Sequence, residues 1–135
     1  MPLLHLLRQN PVIAAVKDNA SLQLAIDSEC QFISVLYGNI CTISNIVKKI
    51  KNAGKYAFIH VDLLDGFSKD AVALKYIYDE IKSDGIISTK NSQLKAAKSL
   101  GFLTVQRIFI IDSLSIKSAI KASQMINPDA IEIMP

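Results

Sequence analysis

Six short apolar runs alternate with segments of helical spacing, and this alternation constrains the chain more than any other feature. The runs lie at residues 11–16, 32–37, from Tyr56 onward, 84–90, 102–111 and 130–134. Each has the near-continuous hydrophobicity of a strand buried on both faces. Between them, Leu22, Ala25 and Ile26 recur at helical spacing, as do Ile43, Ile46, Val47 and Ile50. A third helix follows Ser68-Lys69-Asp70 and carries Val72, Leu74, Tyr76, Ile77 and Ile81. A fourth covers 94–100 and stops at Gly101. A fifth follows Asp112 or Ser113 with Leu114, Ile116, Ala119, Ile120 and Met125.

Strands that alternate with helices form a parallel sheet, because a parallel connection needs a crossover long enough to hold a helix. Crossovers of one hand then curl the units in one direction. A doubly wound sheet and part of a barrel both satisfy this pattern. The unit length of roughly 22 to 30 residues suits a compact (β/α)8 barrel of about 250 residues or fewer. The expectation is one α/β domain over residues 1–135, built of TIM-barrel-like (β/α) units with parallel strands. About six of the eight strands are present, which makes an incomplete or open barrel with unpaired first and last strands.

Half of the 135 residues are hydrophobic and a fifth are charged, which excludes a disordered chain. The net charge of +3 permits contact with phosphates without demanding it. Cys30 and Cys41 lack Cys-x-x-Cys spacing and read as free thiols of a cytoplasmic protein. The opening residues 1–8 are apolar but too short for a signal peptide or a membrane span, and Arg8 and Pro11 follow at once.

The stretch from Tyr56 to Gly66 draws the chemistry together. Phe58, His60, Asp62 and Leu64 would share one strand face, with Ile59, Val61 and Leu63 on the other. His60 reads either as a hydrogen-bonded core residue or as part of a site, and Asp62 either as a turn cap or as its neighbour. Similar polar groups recur at the C-terminal ends of the runs: Lys17 and Asp18, Asn39, Ser88 and Lys90, Gln106 and Arg107, and Glu132. In a barrel these ends form one mouth. Lys17, Lys90 and Arg107 would attract a small anion there, and Asp62 and Glu132 would accept from its hydroxyls.

No nucleophile elbow, Walker loop or dinucleotide glycine fingerprint is present, so no catalytic residue, cofactor or metal is assigned. Asp62, Asp65 and Asp70 read as turn and cap residues, not as metal ligands. Lys48, Lys49, Lys51 and Lys55 form the densest basic stretch. They are either solvated surface or contacts to an RNA or DNA backbone, which would supply affinity without sequence selectivity.

Several motifs then occur in a telling order. They are Pro11-Val12-Ile13-Ala14-Ala15-Val16-Lys17, His60-Val61-Asp62-Leu63-Leu64-Asp65-Gly66 and Gly85-Ile86-Ile87-Ser88-Thr89-Lys90. Gln106-Arg107-Ile108-Phe109-Ile110-Ile111-Asp112 and Pro128-Asp129-Ala130-Ile131-Glu132-Ile133-Met134-Pro135 complete the set. Together they resemble the glycerol-3-phosphate-responsive antiterminator family, in register from about Pro11 onward. The resemblance implies a TIM-barrel-like regulator, not an enzyme. Such a regulator senses glycerol 3-phosphate and binds the leader of a messenger RNA so that transcription passes a terminator.

On that resemblance Lys17, Lys90 and Arg107 hold the anion, Asp62 and Glu132 take hydroxyls, and His60 shapes the pocket. Lys17 and Lys90 stand where the family typically has Arg, and Tyr37 and Asn39 where it tends to have His and Asp. The resemblance also implies a further helix and two more strand units after Pro135, with glycine-rich phosphate-binding ends. Two alternatives are an enzyme acting on a sugar or polyol phosphate with His60 or Asp62 as base, and an inactive shortened fragment. For the shortened fragment the open edges would be sealed by a partner, a second copy or a rearranged sheet, and no membrane is involved.

Overall fold

The computed structural model describes residues 3–135. Six strands form one sheet: β1 (Ile13–Val16), β2 (Phe32–Val35), β3 (Tyr56–His60), β4 (Gly85–Ser88), β5 (Leu103–Phe109) and β6 (Ala130–Met134). They lie in sequence order and every pairing is parallel. The sheet curls into a half-barrel, as the alternation of strand and helix predicts. The helices are α1 (Leu3–Gln9), α2 (Asn19–Asp27), α3 (Ile43–Asn52), α4 (Ala71–Tyr76), α5 (Asn91–Leu100) and α6 (Ser113–Ile126). α4 runs on into a π turn at Ile77–Ile81, which ends at Lys82 in the left-handed region.

The caps are local and legible. Asp18 and Asp112 each accept from the backbone N–H three residues on and complete capping boxes with Ser21 and Ser115. Asp70 accepts from Ala73 N at 3.0 Å. α3 is started from outside: Asn39 Oδ1 accepts from Cys41 N at 2.8 Å and Thr42 N at 3.1 Å, while Thr42 makes no side-chain cap.

Two cores result. The outer core lies between the sheet and its helices and includes Ile33, Val35, Ile59 and Ile86 from the strands with Ile43, Ile46, Val47, Ile50, Leu74 and Ile77. The inner core lies inside the curl and holds Phe32, Phe58, Ile87 and Val105, with Leu3 and Leu6 of α1. α1 was not expected from the sequence, where its seven residues are too few for a pattern to stand out. It plugs the lower end of the half-barrel. Gly85 makes the inner packing possible, because a Cβ there would sit 2.1 Å from Phe58 Cε1.

One local expectation is corrected. The strand stops at His60, and Val61–Leu63 form a 3₁₀ turn. Val61 and Leu64 are therefore buried while Leu63 is exposed, so period-two faces do not extend to Asp62 and Leu64. Helix faces also differ from expectation: Val72, Tyr76, Leu114, Ile116, Ile120 and Met125 are all exposed.

Candidate ligand site at the mouth of the half-barrel

All six strands point the same way, so the ends carrying the predicted polar residues share one rim. Register sets which side chains face inward. His60 pairs with Ile87 and Arg107 with Glu132, and all four belong to the inner set that includes Phe58 and Val105. Arg107 Nε donates to Glu132 Oε1 across the β5–β6 ladder. Its two terminal nitrogens form no hydrogen bond among the described residues. They remain a planar donor pair suited to a phosphate or carboxylate.

His60 is 4% exposed, and its Nδ1 is buried without a partner. Burial and the charge of Arg107 push its imidazole below the ordinary histidine value, against the opposite pull of Asp62 and Glu132. The neutral ring is therefore favoured. A buried ring nitrogen with nothing bound to it is unusual, since most such groups find a partner. Ser34 Oγ on β2 is orphaned in the same way. It pairs in register with Phe58 and so shares the inner face. Ser34 lies outside the polar groups expected at the strand ends. A polar residue alternating with Phe32 in an apolar run was the available signal.

Asp62 turned out to be a clamp. The Ser88 hydroxyl lies 2.9 Å and 3.0 Å from its two oxygens, and Oδ2 also accepts from Thr89 N at 2.9 Å and Thr89 Oγ1 at 3.2 Å. Burial would raise this carboxyl. The Thr89 N–H, the Ser88 hydroxyl, His60 and the Thr89 hydroxyl outweigh it and hold the group below the usual carboxylate value. Asp62 thus ties the turn after β3 to the end of β4. Only Oδ1 keeps room for a second donor. No hydrogen bond joins His60 to Asp62 among the described residues, so they do not form a base and its orienter.

Lys17 follows β1 directly, and Lys90 stands two residues beyond β4 at the start of α5. Both are exposed, and neither is among the charges acting on His60 or Asp62. The structure thus gathers His60, Asp62, Arg107 and Glu132, and leaves Lys17 and Lys90 on the rim above. Beneath the polar group lies a cavity of about 140 Å³ walled by Leu3, Leu7, Phe58, Ile87 and Val105, with Glu132 at its edge. Of the other rim residues, Asp18 and Asn39 serve as caps. Gln106 faces away from the interior and is buried.

The basic stretch is also sorted by the fold. Lys55 is buried, and its Nζ donates to the carbonyls of Ser28 at 2.7 Å and Cys30 at 2.5 Å. It is a structural residue, and this corrects its reading as a backbone contact for RNA. Lys51 Nζ pairs with Asp84 at 2.6 Å. Lys48 and Lys49 remain exposed on α3. Among the described residues no cluster of His, Cys, Asp or Glu is arranged to hold a metal ion, and no helix is long and apolar enough to cross a membrane.

The chain is similar to proteins that share this architecture. It is 70% identical over 135 residues, all of this chain and 71% of the other, to the protein YgcP of Escherichia coli (strain K12). The crystal structure of a glycerol uptake operon antiterminator regulatory protein from Listeria monocytogenes matches with a TM-score of 0.87 and 29% identity. That match covers 93% of this chain and 69% of that one. A glycerol uptake operon antiterminator-related protein from Thermotoga maritima matches with a TM-score of 0.82 and 26% identity, over 91% and 69% of the two chains. Residues 12–135 match the family described as glycerol-3-phosphate responsive antiterminator. With an inward-facing arginine at the shared mouth and that match over nearly its whole length, this chain belongs to the glycerol-3-phosphate-responsive antiterminator family.

Proposed function

We propose that this chain is a cytoplasmic transcription antiterminator for glycerol metabolism genes, which binds glycerol 3-phosphate at the mouth and, in response, a leader RNA. One observation carries the effector half of this reading. Arg107 offers two unclaimed terminal nitrogens at the inner face, beside the buried, unpartnered Nδ1 of His60. Arg107 grips the phosphate, and Lys17 and Lys90 close on it from the rim as point charges. His60 Nδ1, the remaining acceptor site on Asp62 Oδ1 and Glu132 take the two hydroxyls. The apolar cavity below excludes water from the carbon chain.

Binding requires no proton transfer, which suits a sensor. The single-sided pairing of β1 and β6 leaves two open edges, which a second copy of the chain would seal. Sedimentation distinguishes the two states, and a clean monomer at micromolar concentration removes the sealing.

The effector reading is tested by calorimetric titration of glycerol 3-phosphate, with glycerol and inorganic phosphate as controls. Saturable heat that disappears in Arg107→Ala and weakens in His60→Ala is expected. No heat at millimolar ligand, or equal binding by Arg107→Ala, overturns it.

A further inference from the structure

A second cavity, about 460 Å³, lies on the same rim but apart from the His60–Arg107 cluster. It is a groove lined by Asn19 at the start of α2, Tyr37, Gly38 and Asn39 after β2, Asn45 and Lys49 on α3, and Asp65 after the 3₁₀ turn. None of these residues belongs to the mouth cluster.

The groove is pre-shaped. Asp65 N donates to Gly38 O at 3.3 Å and Ile40 N donates to Asp65 O at 3.0 Å, which fastens the two loops together. Tyr37 Oη donates to Asn19 Oδ1 at 2.8 Å, which holds the phenol ring as one wall. Gly38 has φ +112°, and a Cβ there would stand 3.1 Å from Ile46 Cδ1 on the groove floor, so this position stays open and small.

The hydrogen-bonding groups left over are of three kinds. Asn45 makes no side-chain hydrogen bond among the described residues, so its carboxamide offers a donor and an acceptor together, which is the pattern that reads a base edge. The Asp65 carboxylate accepts nothing among the described residues and suits a sugar hydroxyl. Lys49, with Lys48 beside it on α3, supplies the cation for a phosphate. Base, ribose and phosphate are thus each matched by a different unspent group, and the Tyr37 ring adds an aromatic surface of the kind that receives an unstacked base.

We propose that this groove seats one ribonucleotide of a single-stranded RNA. This rests on the antiterminator reading above and names where the RNA is held, apart from the effector. Asp65 makes the site prefer ribose, since its acceptor oxygens have use for a 2′-hydroxyl that deoxyribose lacks.

The test uses the full chain, isotopically labelled, with amide chemical shifts as the readout. The probes are a random-sequence hexaribonucleotide, the matching deoxyribonucleotide hexamer, and the four nucleoside 5′-monophosphates. The RNA hexamer is expected to shift the amides of Asn39, Asn45 and Lys49 saturably, with weaker binding by the DNA hexamer. Asn45→Ala and Lys49→Ala each weaken the RNA hexamer by about five- to tenfold, on the order of 1 kcal/mol. Both side chains are exposed, and an otherwise unchanged spectrum verifies the fold of each variant.

RNA shifts confined to other surfaces, or no loss in either variant, overturn the groove while leaving RNA binding standing. Equal affinity for RNA and DNA overturns the role of Asp65. Monophosphates binding as tightly as the hexamer identify a free nucleotide as the occupant and overturn the RNA assignment. No response to any nucleic acid overturns both the groove and the RNA half of the proposed function.

Discussion

Helices α3 and α6 both carry apolar residues at helical spacing, and only α3 buries them. Ile43, Ile46, Val47 and Ile50 are all buried, packed against β3 and the π turn after α4. On α6 only Ile126 is buried, while Leu114 is 69% and Ile120 52% exposed. α3 lies over strands that are paired on both sides. α6 lies over β5 and β6, and β6 pairs on one side only. A cavity of about 270 Å³ remains between α6 and the outward isoleucines Ile108, Ile131 and Ile133. The periodicity that announces a helix therefore says which face is apolar. Whether that face is covered depends on how many elements surround it.

The largest test of this contrast is truncation of a covered residue. Ile50→Ala should cost about 2–5 kcal/mol by urea denaturation, through lost burial and a cavity the sheet cannot fill. A cost below about 1 kcal/mol would mean that the outer core repacks freely, and the contrast would fail. Lys55→Ala should cost about 1–3 kcal/mol, because the buried Lys55 stem is lost and two part-buried carbonyls lose their donor. Any loss of RNA binding by that variant should track unfolding alone.

The mouth supplies a pH test. His60 has a folded pKa below its unfolded value of about 6.5. Between the two, the unfolded chain binds the extra proton, so stability is fully present above about pH 6.5 and falls as pH drops through the window. His60→Gln should flatten that limb of the stability profile, and an unchanged limb would place its origin elsewhere. The smallest effect belongs to the uncovered helix. Ile120→Ala should lie within about 0.5 kcal/mol of the parent chain. A loss as large as that at Ile50 would show α6 to be covered in solution, as sealing by a second copy requires.

Much of the fold was readable because its signals are local. Asp18, Asp70 and Asp112 cap the helices that follow them, and the apolar runs become the six strands. The misses were of a different kind. Asp62 looked like a strand residue pointing with His60, yet its carboxylate is drawn across to Ser88 and Thr89, 26 and 27 positions away. Lys55 looked like one more surface lysine in a basic run, and carbonyls from the loop before β2 claimed it. Neither partner is visible from sequence spacing, because each arises from strands brought side by side.

The residues themselves determined the alternation of strand and helix, the parallel sheet, the family and the placing of polar groups at strand ends. Those follow from periodicity, capping chemistry and motif order, which act over a few neighbours. Only the tertiary structure decided that His60 and Arg107 would meet Glu132 inside the curl while Lys17 and Lys90 stayed on the rim. It alone turned Asp62 and Lys55 into structural ties and left the face of α6 open. Register and curl set those outcomes, and both depend on contacts between distant strands that no local pattern encodes.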